Sequence, residues 1–236
     1  MKNSIAIAAI VLASGSAMAG ADFEADFSHI NGKNNAIRVN NTGSGGLINT
    51  TFNAGHFVFA YTDVGGERGQ GQFKSGTFAT FCIELQGVVN GPQDYNIDRI
   101  RNAPDPSPGL GGAGYDSADE AEVKAVIAAA IRLGWINSDL SLGTADDNQL
   151  AAIQGQIWKV VLDNSVVTAE IVNVGIEMAA LQAEIALDPG ATVSDLKAMI
   201  NPDSQDQLFI VPLPTAVFAG MITLAGIGGY KRIRRS

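Results

Sequence analysis

The chain has 236 residues, of which 46% are apolar and 17% charged, and its formal net charge is −9. That length suits one globular domain with some chain to spare, and the apolar share excludes a largely disordered protein. The acidic balance and the low charge content argue against a nucleic-acid partner, and the single cysteine, Cys82, excludes an intramolecular disulfide framework.

Residues 1–19 read as a secretory signal peptide. Lys2 gives a positive start, residues 5–13 are uninterrupted apolar, and Ala17-Met18-Ala19 offers the small-x-small cleavage site expected of a signal peptidase substrate. From Ala21 to Val89 the pattern predicts strands, with Ala36-Ile37-Arg38-Val39 alternating and His56 to Tyr61 aromatic and β-branched. Gly76 to Leu85 reads as one alternating strand in which Cys82 faces away from Phe81 and Ile83. Residues 91–114, rich in Pro and Gly, read as a loop.

The second half reads as helical over residues 117–200. Ser117-Ala118-Asp119-Glu120 has the form of a capping box, and Val123, Val126, Ile127, Ala130 and Ile131 follow at helical spacing up to a stop at Gly134. A second helix is predicted from Thr144–Asp147 to about Asp163. A third is predicted from Thr168 to Leu187, carrying Ile171, Val174, Met178, Leu181 and Ile185, and a short fourth lies around Ser194–Ile200. Residues 207–211 read as a final strand. In the second helix Gln154 projects from an apolar stripe of Leu150, Ile157, Trp158 and Val161, while Gln149 and Gln156 point elsewhere. A primary amide on a buried face needs partners for its two donors and its acceptor.

The C-terminus is apolar and free of charge from Leu208 to Tyr230 and ends in Lys231-Arg232-Ile233-Arg234-Arg235-Ser236. Val211-Pro212-Leu213-Pro214, a Gly-containing apolar segment and a basic end together resemble the PEP-CTERM sorting signal, in its Val-Pro-Leu-Pro variant. The resemblance covers residues 211–236. It implies export in a Gram-negative bacterium, transient residence in the inner membrane through the tail, removal of the tail by exosortase, and a final place at the cell surface or outside the cell. A plain C-terminal membrane anchor is the alternative. Without the cations of both ends (Lys2, Lys231, Arg232, Arg234 and Arg235) the body carries −14.

Cys82, within Thr80-Phe81-Cys82-Ile83, and Gln154, within Ala152-Ile153-Gln154-Gly155-Gln156-Ile157-Trp158, resemble the paired motifs of Cys–Gln thioester-forming surface-protein domains. Ile153 stands where that family often has Thr, and Gln156 where it usually has Ala. The resemblance implies an α+β fold over residues 20–210, a β-sandwich or barrel with an inserted or adjacent helical subdomain, flanked here by the signal peptide and a transmembrane sorting helix. It implies a thioester between Cys82 and Gln154 in a pocket of Phe81, Ile83, Ile157 and Trp158, and covalent attachment to a lysine-bearing target rather than enzymatic turnover. No cofactor, metal or nucleic acid is expected. The alternative is a noncovalent structural protein of biofilm or exopolysaccharide without the thioester. His29 and His56 are the only histidines and belong to no metal-ligand motif. A cysteine hydrolase using one of them is the third reading.

Overall fold

The computed structural model describes residues 23–41, 48–62, 76–85, 91–104, 114–162 and 165–211. The expected signal peptide with its Ala17 and Ala19, and Pro212, Leu213 and Pro214 of the sorting motif with the tail beyond them, lie outside the described residues. Val211 is described: it follows the last strand, and its N–H donates to the Asp195 carbonyl at 3.1 Å.

Strand β1 (Phe23–Asn41) and strand β2 (Ile48–Tyr61) form the long antiparallel hairpin on which everything else is assembled. Irregularities between Phe27 and His29 and between Lys33 and Ile37 break its register. Such bulges bend a strand and raise its twist. Bent in this way, the one strand serves two further partners. Its first residues, Phe23–Asp26, pair with strand β4 (Pro92–Asp98), and its last, from Ile37 on, pair with strand β5 (Ser165–Ala169). Gly32 and Gly55 face each other between the bulges, and a Cβ on either would come within 2.3 Å of the opposite backbone. Only glycine permits that approach.

Strands β3 (Thr77–Thr80), β6 (Leu196–Ile200) and β7 (Gln207–Ile210) complete an antiparallel sheet of order β3-β2-β1-β4-β6-β7, with β5 on β1. The two outer strands then meet. The Leu208 N–H donates to the Phe81 carbonyl at 2.8 Å, and the Thr80 hydroxyl donates to the Leu208 carbonyl. The sheet is therefore barrel-like and nearly closed. Closure removes most of the exposed edge that an open sheet would present. Its interior is aromatic: Phe23 stacks on Phe209 at 5.1 Å and on Tyr95 at 5.9 Å, and Phe59 stacks on Phe78 at 5.6 Å.

Three helices cover the described part of the sheet: α1 (Ser117–Arg132), α2 (Asp147–Val161) and α3 (Val172–Leu187). Helix α2 lies across β1 and β2 with α1 and α3 packed on it. Every residue from Leu150 to Trp158 is buried. The close approach is made at Gly155, where an added Cβ would meet the Ile37 Cδ1 at 2.7 Å and the Met178 sulfur at 3.1 Å.

Several sequence expectations change. The capping box of α1 sits one residue earlier: Asp116 is the N-cap, accepting from the Ala118 and Asp119 amides, and Asp119 returns a bond to the Asp116 N–H. An aspartate competes better than serine for that place beside the helix's positive end. The 91–114 segment is not all loop, because Pro92–Asp98 is a strand and Ile100–Asn102 a single 3-10 turn. Pairing with β1 and β6, and the burial of Tyr95, outweigh its turn-rich composition. The expected helix start at Thr168 lies in β5, and the expected helix at Ser194–Ile200 is β6. In both places a short β-branched or apolar run fits the helical period, but an available strand neighbour decides the outcome. The predicted strand through Leu85 keeps ladder pairing only to Thr80, after which Cys82 makes an isolated bridge to Gln207. The Gly134 stop stands, at φ +73°.

Filling the seat of α2 should loosen the fold. Gly155→Val is expected to lower unfolding stability by about 1–3 kcal/mol, the usual range for overpacking, as a reduced midpoint in urea with unchanged slope. An unaltered midpoint would mean that α2 does not depend on this contact.

Candidate functional site

The chain around Cys82 is held on one side by β7. The Ile83 N–H donates to the Asp206 carbonyl at 3.0 Å and the Leu208 N–H to the Phe81 carbonyl at 2.8 Å, which makes Cys82 and Gln207 a facing pair without direct bonds between them. In an antiparallel ladder the residue at such a position turns its own N–H and C=O to the opposite side. On that side lies α2. The Cys82 N–H donates to the Gln154 Oε1 at 3.0 Å, and the Gln154 Nε2 donates to the Cys82 carbonyl at 2.7 Å. The carboxamide occupies the place of a neighbouring strand's peptide group.

This pairing defines the chemistry available. Strand side chains stand roughly perpendicular to the plane of the backbone hydrogen bonds, so the Cys82 thiol rises from the same residue that grips the carboxamide in that plane. A carbonyl carbon is attacked from above its plane. The Cys82 N–H already touches the oxygen that would gain negative charge in such an attack, which is the position of an oxyanion donor.

Cys82 and Gln154 are both 0% exposed. Phe81 and Ile83 flank Cys82 along the chain, Ile157 and Trp158 follow Gln154 by about one turn of α2, and all four are buried, while the Tyr115 hydroxyl fixes the Ile83 carbonyl. Burial pushes the Cys82 thiol well above its usual range, the indole N–H of Trp158 works toward the thiolate, and the Glu84 carboxylate works against it. Ile153 and Gln156 differ from the residues usual in the motifs that the chain resembles. Ile153 is part of the core. Gln156 turns away from Cys82, is buried, and donates to the Met178 carbonyl at 2.8 Å, tying α2 to α3. Gln149, expected to point elsewhere, closes the α2 capping box with Asp146.

A buried polar cluster next to Cys82 escaped the sequence reading. The Glu84 Oε1 accepts from the Asp206 N–H at 2.9 Å, the Asp206 Oδ1 accepts from the Asn201 N–H at 2.9 Å, and Gln205 donates to the Glu84 carbonyl at 2.9 Å. Its members are adjacent only after β7 closes against the Cys82 segment, so neither spacing nor period announced them. The only hint in the sequence is the Asp-x-x-Asp spacing of Asp203 and Asp206. Burial pushes Glu84 up to about 7, with the Asp206 carboxylate adding to the rise and the Asp206 N–H opposing it. Burial likewise pushes Asp206 up to about 6 against the Asn201 N–H.

His56 is buried with its Nε2 at 2.6 Å from the Leu140 carbonyl and its ring 5.2 Å from that of Phe81. Burial lowers its pKa, with the Leu140 carbonyl opposing the shift. His29 lies on the exposed side of β1. The two histidines are not brought together with Cys82 into a hydrogen-bonded nucleophile pair by any described contact. Among the described residues no group of three His, Cys, Asp or Glu side chains could hold a metal ion, and no helix is long and apolar enough to cross a membrane.

The acid pair gives the protein a defined pH response. Both carboxyls keep their protons in the folded state at pH values where the unfolded chain has lost them, so the folded state binds more protons between about pH 4 and pH 7. Stability is full at the lower end of that window and is lost as pH rises through it. His56, whose pKa burial lowers, acts in the opposite sense, its contribution being lost as pH falls. Glu84→Gln keeps the acceptor for the Asp206 N–H but removes one titration. Its urea midpoint should fall less between about pH 5 and pH 7 than that of the wild type, and parallel profiles would contradict the assignment.

No family model, curated protein or solved structure matches the chain, so a functional reading rests on this geometry and on the sequence motifs.

Proposed function

We propose that this is an exported bacterial surface protein that forms an internal Cys82–Gln154 thioester for covalent attachment to an amine-bearing target, after processing by signal peptidase and exosortase. The observation that carries the proposal is the two-bond grip of the Cys82 backbone on the Gln154 carboxamide. It sets a nucleophile beside an otherwise unreactive amide inside a dry enclosure, which is the proximity that turns a slow bimolecular reaction into a unimolecular one. The Cys82 sulfur bonds to the Gln154 Cδ, the Cδ–Nε2 bond breaks, and the thiol proton leaves with the nitrogen as ammonia. A lysine amine that later displaces the sulfur forms an amide and returns Cys82 as a thiol. The leader-like start and the tripartite tail support export and sorting. Each molecule attaches once, so the reading is of an adhesive or matrix-linking protein, not of a catalyst.

A second reading has its own observation. Both groups are fully buried, and the carboxamide already satisfies a backbone N–H and C=O that would otherwise be stranded. On this reading Gln154 is a structural amide, and the protein is a noncovalent component of an extracellular matrix.

Intact mass separates the two. The thioester reading expects purified protein lighter than its sequence by one ammonia, a deficit absent from Cys82→Ala and from Gln154→Ala and retained in Gln149→Ala. Incubation with methylamine should add one methylamine and expose one thiol. A mass equal to that of the sequence, with Cys82 titrating freely after unfolding, sinks the thioester and leaves the structural reading.

A further inference from the structure

The indole of Trp158 has a role that core packing does not explain. Trp158 is 2% exposed, and its Nε1–H is buried without a hydrogen-bond partner among the described residues. A buried N–H in that condition costs about 1–3 kcal/mol relative to a bonded one, and a phenylalanine would fill the same site without the cost. Trp158 lies four residues after Gln154, hence on the same face of α2 and one turn along. Side chains on a helix lean toward its N-terminus, which carries the indole back over the turn that presents the carboxamide. The neighbouring Phe52 ring meets it edge-on at 5.8 Å. Phe52 offers no acceptor. The turn of α2 that carries Gln154 is bonded to the backbone of Cys82, which brings the Cys82 thiol to the same end of the buried layer as the unpartnered indole N–H, and Trp158 acts on that thiol in the direction of the thiolate.

We propose that the Trp158 indole N–H is the donor to the Cys82 sulfur, holding it over the Gln154 carboxamide and carrying part of its negative charge whenever the sulfur–carbon bond is made or broken. The proposal rests on the thioester reading and deepens it. In the forward direction the sulfur loses its proton before it bonds to the Gln154 carbon, and the proton ends on the departing ammonia. In the reverse direction an incoming amine bonds to that carbon, the sulfur departs with the electron pair, and a proton from the amine restores the thiol. Sulfur is most negative at the same place on both paths. A fixed donor there lowers both barriers, and it does so more strongly in a dry site than in water. Without it, burial and the Glu84 carboxylate would both oppose the thiolate.

The test is Trp158→Phe in the full chain, with Phe52→Leu as a control that disturbs the same ring pair and keeps the N–H. Methylamine opening of the thioester, followed as thiol release, should slow by roughly ten-fold or more in Trp158→Phe, the scale of a lost bond to a charged group, and stay near the wild-type rate in Phe52→Leu. If Trp158→Phe does not fold, site-specific benzothienylalanine at 158 removes the N–H at constant shape. Equal opening rates in wild type and in the N–H-free protein overturn the proposal. A wild type with no ammonia deficit is a failure of the thioester reading instead. The donor is then read from the ultraviolet absorbance of the Cys82 thiolate against pH. Appearance at higher pH in Trp158→Phe than in wild type and Phe52→Leu supports the donor, and coincident titrations overturn it.

Discussion

The Gln154 carboxamide bonded to the backbone of Cys82 is the contact on which the arrangement turns. Cys82 lies where the strand ladder runs out: β7 takes the amide and carbonyl of its neighbours, and its own pair points into the helical layer. A backbone N–H and C=O buried there without partners would cost several kcal/mol together. A side-chain amide is the one uncharged group that supplies a donor and an acceptor at peptide spacing. Barrel and helices are therefore joined by a polar stitch inside an apolar interior. The depth of α2 follows from the same need, with Gly155 letting the helix settle on Ile37 so that Gln154 reaches the strand.

The surroundings pull the chemistry in two directions. Complete burial keeps water from an acyl sulfur bond and strengthens every dipole nearby. The same burial disfavours the thiolate that would make such a bond, and the adjacent Glu84 adds to that resistance. Among the described residues the Cys82 amide N–H bonds the carboxamide oxygen, and the Trp158 indole favours the thiolate. On the thioester reading these act on the two atoms that gain electrons in acyl transfer.

The acid pair is built from the far end of the chain. Residues 201–207 fold against 83–85 through side chains bonded to backbone, so the segment that closes the barrel also walls the Cys82 site. Closure of the sheet and assembly of the site are one event. The aromatic stack of Phe23, Tyr95 and Phe209 draws together the first, middle and last strands that make it.

What the residues by themselves determined was local. Helices α1 and α2 were legible because long apolar periods and caps are short-range signals, and the Cys82 and Gln154 motifs were legible because each is contiguous. The amide on the apolar stripe of α2 could be recognised as needing partners without knowing which they were. The strands β4, β5 and β6 were hidden because a short segment becomes a strand when a neighbour offers its edge, and that neighbour is far away in sequence. The same reason hid the Glu84–Asp206 cluster and the fact that Gln154 bonds the backbone groups of Cys82. Periodicity says which face of an element is buried. Only the closing of the sheet decides what that face meets, because backbone hydrogen bonds left over at the end of a ladder must be satisfied by whatever the fold brings to them.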